Sequence, residues 1–246
     1  MKPFLILQLR PEADTSDDEY AAFLDKGRMT AAQTRRIRLD CEPLPGDLDL
    51  GDYAGVIVGG GPGCVSDPAA GKDPVEARIE ATILSLMPEI CARDIPYLGC
   101  CYGLGILAHH LGGHVGQGRY GEPVGPVTCT LSPEGRADPL MAGLPDSFDA
   151  FVGHKEAVEV MPEGSTLIAR SAPCPVQIMR HGRNVYATQF HPEADAAVFE
   201  TRIRRYRNKG YFHPDEADDL IAMCRAADVT WPERILQNFV SCYAIA

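Results

Sequence analysis

Long apolar runs are missing from this sequence, and no segment reaches the roughly 18–20 residues that a membrane-spanning helix needs. Met1-Lys2-Pro3 leads into a short strand instead of the apolar core and cleavage site of a secretory signal. Basic charge is in deficit, with 23 Lys and Arg against 34 Asp and Glu and a net charge of -11. So acidic a chain offers no broad basic face for a phosphate backbone, which excludes nucleic acid as an expected partner. No Cys-x-x-Cys pair occurs among the nine cysteines. An odd number scattered through apolar segments points to neither a disulfide framework nor a zinc site, and the chain is expected in the reducing cytoplasm, without a metal or cofactor. Also absent are Gly-x-x-x-x-Gly-Lys-Ser/Thr and a Gly-x-Gly-x-x-Gly that opens a helix, so no nucleotide cradle is expected. Repeats and low-complexity linkers are lacking too.

What is there suits one α/β domain with a modest extension: 246 residues, 45% of them hydrophobic. Residues 4–9 are apolar at nearly every position, as strands covered on both faces are. The acidic stretch 12–19 reads as a solvated loop leading into a helix at 20–24. A more exposed strand follows at 36–39 and a buried one at 55–58. Val75, Ile79, Ile83, Leu86 and Ile90 then mark one face of a covering helix. Helix and strand in alternation imply a parallel sheet whose ligands bind at the carboxyl ends of its strands. Beyond Gly113 the pattern turns β-rich, with strands at 127–131, 148–152, 166–169, 176–179 and 185–190 and a hairpin turn at 181–184. Three helices finish the chain. In the first of them Arg202, Arg204, Arg205 and Arg207 read as a solvated face. The division expected is a domain over 1–194 and a helical extension over 195–246 packed on it.

The chemistry concentrates at three places. A strand ending in Gly99-Cys100-Cys101-Tyr102-Gly103 runs straight into a helical pattern at 102–111, which is the arrangement of a nucleophile elbow. Only Cys101 has glycine two residues before and two after, so it is the candidate nucleophile and Cys100 its buried neighbour. The N-terminus of the helix would favour its thiolate. The strand at 185–190 ends in His191-Pro192-Glu193, a base and a carboxylate near enough to fix its tautomer. Third is Gly59-Gly60-Gly61-Pro62-Gly63, read either as a flexible turn or as a loop that aims a backbone N–H at a reacting carbonyl.

Gly99-x-Cys101-x-Gly103, Gln189-Phe190-His191-Pro192-Glu193 and Gly60-Gly61-Pro62, in their chain order, resemble the signatures of class I glutamine amidotransferase domains over residues 4–193. The resemblance implies a flavodoxin-like α/β fold with a mixed, mostly parallel sheet, helices on both faces and additional C-terminal helices. It further implies that Cys101 forms a γ-glutamyl thioester, that His191 carries the proton with Glu193 behind it, and that the N–H groups of Gly61 and Tyr102 form the oxyanion hole. Gly60 and His154 would border the substrate. One position departs from the family pattern: four residues after the nucleophile, where glutamine is common, stands Gly105, which is expected to widen the pocket. Three readings follow. The chain is an amidotransferase subunit or glutaminase whose ammonia goes to a separate synthase or acceptor protein or to water; or a γ-glutamyl peptidase or hydrolase acting on a larger substrate; or a catalytically idle binding or regulatory protein on the same fold.

Overall fold

Phe4 to Gln8 are buried on every residue because they form a central strand with helices on both faces. In the computed structural model, which describes residues 2–208 and 212–244, the elements run β1 (Phe4–Gln8), α1 (Ala13–Gly27), β2 (Thr34–Arg38), β3 (Gly55–Val58), α2 (Pro74–Ala92), β4 (Tyr97–Cys100) and α3 (Tyr102–His110). Next come β5 (His114–Gly116), β6 (Glu122–Leu131), α4 (Pro133–Arg136), β7 (Ser147–His154), β8 (Ala157–Val160), β9 (Ser165–Arg170), β10 (Ile178–His181) and β11 (Val185–Thr188). The chain closes with α5 (Ala196–Tyr206), α6 (Ala217–Ala226) and α7 (Pro232–Tyr243).

The main sheet has the order β2-β1-β3-β4-β11-β10-β9-β6-β7. From β2 to β11 every neighbour is parallel, and from β11 outward every neighbour is antiparallel. β5 and β8 pair separately in a small antiparallel sheet. Because side chains alternate along a strand, β1 sends Leu5 and Leu7 to one face, where they meet Ile79, Ile83 and Met87 of α2 and Leu104 of α3. Phe4 and Ile6 go to the other, against Phe23 of α1 and Ile235, Leu236 and Phe239 of α7. The last helix is thus part of the main core. α5 and α6 share a third cluster with β7, in which Phe199 stacks on Phe151 at 4.8 Å. No helix among the described residues is long and apolar enough to cross a membrane.

Local structure departs from the sequence reading at β5 and β8, which were not expected, and in the acidic stretch. The acidic stretch is no solvated loop: α1 begins at Ala13, and its buried stripe contains Thr15, Ser16 and Glu19 as well as Ala22 and Phe23. Polar residues occupy the inward positions of its first turns because they meet polar partners there.

Candidate active site

Cys101 sits between β4 and α3 at φ 52° and ψ -97°, in the positive-φ region that a side chain avoids. A strained, non-glycine turn of this kind costs on the order of 1–3 kcal/mol and is held by its surroundings. The Cys101 N–H donates to the Thr188 carbonyl at the end of β11 at 2.7 Å, and its own carbonyl accepts from the Leu104 N–H at 2.9 Å. The turn is so tight that a Cβ on Gly99 would lie 2.9 Å from the Gly103 carbonyl carbon and 2.5 Å from the Tyr97 hydroxyl. Cys100 is fully buried in the core between α1 and the sheet, whereas Cys101 is half-buried beside two cavities. Burial pushes the Cys101 thiol up to about 11, against the pull of Arg10, and the Tyr102 N–H at the helix N-terminus does not reverse the shift. The resting group is a thiol. The expected thiolate is therefore overturned: loss of solvent outweighs the helix end.

His191 follows β11, and its Nδ1 lies 2.7 Å from Oε1 of the fully buried Glu193. With Nδ1–H donating to that carboxylate, Nε2 is left to exchange a proton. Oε1 of Glu193 also accepts from Nη2 of Arg202 in α5 at 2.7 Å. On the other side, Nη2 of Arg10 stands 3.5 Å from His191 Nε2, while its Nε donates to Glu19 Oε1 at 2.9 Å and its Nη1 to the Tyr206 hydroxyl at 3.0 Å. Gln8 completes the chain by donating to Glu19 Oε2 at 3.0 Å. Two guanidiniums and two carboxylates thus alternate around one imidazole. Burial lowers the His191 pKa from its ordinary value, and the neighbouring arginines add to the shift against the opposing Glu193. Glu193 is held well below the ordinary carboxylate range, because His191 and Arg202 together overcome its burial.

Arg202 is therefore not part of a solvated face, although Arg204 and Arg205 of the same helix are exposed. Neither it nor Arg10 nor Glu19 stands out in the sequence as a site residue. Gly60 packs directly against the imidazole, since a Cβ there would lie 2.3 Å from His191 Cε1 and 2.7 Å from Nε2. Glu19, His191 and Glu193 are close enough together to hold a metal ion, but Arg10 and Arg202 already lie among them as cations.

Two cavities meet at Cys101, Gly61 and Gly153. One, of about 60 Å³, is walled by Val124, Phe199 and Ile203 together with Arg10, His191 and Arg202. The other, of about 30 Å³, is bordered by Pro62, Tyr102, His154, Lys155, Glu156 and Gln189. Gly105 does not widen it. A Cβ on Gly105 would lie 2.5 Å from Oε1 of Glu156, whose carboxylate fills the place of the absent side chain. That carboxylate accepts from the Val65 N–H at 3.1 Å, the Ser66 N–H at 2.6 Å and the Ser66 hydroxyl at 2.5 Å, tying the segment after the glycine loop to the turn between β7 and β8. Burial pushes the Glu156 carboxyl up from its ordinary value in spite of these donors. His154 is buried at the border of the smaller cavity, with Nε2 2.7 Å from Glu122 Oε2 and Nδ1 2.8 Å from the Glu156 carbonyl. Glu122 also takes Gln177 Nε2 at 2.6 Å and the Ser171 hydroxyl at 3.1 Å. Glu122, His154 and Cys174 form a second group within reach of a common ion, and hydrogen bonds already engage each of them.

A thiol and an imidazole that border one cavity, with a carboxylate behind the imidazole, are the kinds of group that a nucleophile activated by a base needs. A sequence model described as glutamine amidotransferase class-I matches residues 24–207. A glutamine-hydrolyzing GMP synthase of Thermomicrobium roseum is 33% identical over 172 residues, covering 68% of this chain and 29% of that protein. The chain spans about a third or less of the length of the curated relatives it matches. Among solved structures, a glutamine amidotransferase from Methylobacillus flagellatus superposes with a TM-score of 0.69 at 22% identity, over 98% of this chain and 95% of the other. One from Thermotoga maritima gives 0.69 at 19% identity, over 98% and 99%. The likeness to these two structures shows the fold.

Proposed function

The chain belongs to the class I glutamine amidotransferase family, and from that premise we propose that it hydrolyses a γ-glutamyl amide through a thioester on Cys101. The observation that carries the proposal is the hydrogen bond from His191 Nδ1 to Glu193 Oε1, with His191 and Cys101 bordering one cavity. Thiol and imidazole both rest neutral, so the proton passes from sulfur to Nε2 as the sulfur attacks the γ-carbonyl carbon. The oxyanion takes the backbone N–H groups of Gly61 and Tyr102, a donor of this kind being worth roughly 2.7–4 kcal/mol of barrier. His191 returns the proton to the departing nitrogen, the C–N bond breaks, and water then cleaves the thioester by the same route in reverse. Glu193 holds the imidazole's orientation throughout, and Arg202 holds Glu193. Gly60, His154 and Gly105 shape the substrate's surroundings, Gly105 by admitting Glu156. On this reading residues 1–194 form the catalytic unit, and α5 of the extension over 195–246 lends it Arg202.

The relatives whose names describe glutamine hydrolysis are about three to four times as long as the aligned part. On this reading the ammonia released passes to a synthase partner or acceptor, or to water.

The test is intact-mass labelling with a glutamine-like electrophile, run beside ammonia release from glutamine, on wild type and on the Cys101→Ala, Cys100→Ala and His191→Ala variants. One label on wild type and on Cys100→Ala, none on Cys101→Ala, and loss of turnover in both Cys101→Ala and His191→Ala is the expected pattern. A Cys100→Ala protein as inactive as Cys101→Ala would overturn the assignment.

A further inference from the structure

The thiol of Cys101 opens onto two cavities of opposite character, and they divide the substrate between them. In acyl transfer the acyl chain and the departing amine lie on different sides of the attacked carbon, and the group that protonates the amine must stand on the amine's side. His191 borders only the larger cavity, whereas Glu156, Lys155 and Gln189 border only the smaller. The smaller one offers charges of both signs and suits the ammonium and carboxylate of a glutamyl group. The larger is left for the leaving amine. Ammonia needs no such space, yet here stand about 60 Å³ walled by Val124, Phe199 and Ile203.

Resting on the hydrolase reading above, we infer that the larger cavity is a subsite for the leaving amine and that the preferred substrate is a γ-glutamyl amide whose nitrogen carries a short alkyl group. The walls set the class. Val124, Phe199 and Ile203 offer apolar contact beside a space of about 60 Å³, which suits a short alkyl group. Charge agrees with an uncharged substituent, because Arg10 and Arg202 already pair with Glu19 and Glu193. The step balances: the γ-carbon–nitrogen bond breaks as the carbon–sulfur bond forms, the alkylamine leaves with the proton that His191 took from the thiol, and water then releases glutamate and restores the thiol.

The experiment compares kcat/KM for N-propylglutamine, read as propylamine release, with that for glutamine, read as ammonia release. It uses wild type, Cys101→Ala, and two variants that fill the cavity from different elements, Ile203→Trp in α5 and Val124→Phe in β6. The expected result is a preference for the N-propyl amide of about tenfold or more, the worth of apolar contact of this size. That ratio collapses in whichever filled variant remains folded by circular dichroism, and all release is absent from Cys101→Ala. Cleavage of glutamine with equal or poorer cleavage of the N-propyl amide would overturn the subsite and leave the hydrolase reading standing. No cleavage of either compound by wild type would overturn both.

Discussion

The carboxylate of Glu156 stands where a side chain on Gly105 would have to be, its Oε1 2.5 Å from the position of a Cβ. The two residues are far apart in the chain and share one space, so a change at either is felt at the other. Through Val65 and Ser66, Glu156 also anchors the segment that follows Gly60 and Gly61.

Gly105→Gln restores the residue type common in the family, yet it is expected to harm this protein. The new side chain expels the carboxylate and leaves two N–H groups without their acceptor, at about 1–3 kcal/mol for each that stays buried. The gain in helix propensity, below about 1 kcal/mol, does not offset this. The expected outcome is a fall of about tenfold or more in kcat/KM, and a similar fall in Gly105→Gln/Glu156→Ala, where the same N–H groups lack their acceptor. Steady-state kinetics on the two proteins decide it; full activity in Gly105→Gln alone would show that Glu156 has no part in shaping the site.

How much of this was legible in the sequence follows from how far each signal reaches. β1, β3, α2 and the elbow were legible because their apolar periods and glycine spacing are local, and Cys101, His191 and Glu193 stood out because each lies in a compact motif. Glu19 was hidden in a run of acids that reads as solvated; its partner Arg10 precedes the helix, and α1 turns Thr15, Ser16 and Glu19 inward without an apolar stripe to announce it. Arg202 was hidden among arginines that do face solvent, because only the fold brings it to Glu193. The same limit applies to Gly105: a missing side chain reads as empty space until the long-range neighbour that fills it is known. The thiolate expectation failed for a related reason, since a helix end is visible in sequence and desolvation is not.

Arg202 and Glu193 form a pair whose side chains are 8% and 0% exposed, so removing one charge strands the other. Arg202→Met is expected to lose about 3 kcal/mol or more of stability, since breaking a buried pair typically costs about 3–5 kcal/mol. A double variant, Arg202→Met/Glu193→Leu, removes both charges and is expected to regain most of that stability while remaining inactive. Urea denaturation followed by circular dichroism, with turnover measured on the same samples, gives both readings. If Arg202→Met is as stable as wild type, the alternating network around His191 contributes no stability.

The same network fixes the direction of the pH dependence. His191 in the folded protein has a pKa below its ordinary 6.5, so kcat/KM should hold its plateau down through that value and fall only beneath it. Stability moves in the same sense. Near pH 6.5 the unfolded chain takes a proton on this histidine and the folded one does not, so acidification from there favours unfolding. Glu193 adds to this at lower pH: its folded pKa is depressed, so its contribution begins to fall below the ordinary carboxylate value of 4.5 and goes on falling toward the folded value. Replacing the imidazole separates the two. Between about pH 7.5 and about pH 5.5 the urea midpoint of wild type should drop more than that of His191→Asn, because the variant lacks the group that titrates in that window. Equal drops in both proteins would mean that His191 titrates alike in the folded and unfolded chain, so that its burial beside Arg10 and Arg202 does not hold the imidazole neutral below 6.5.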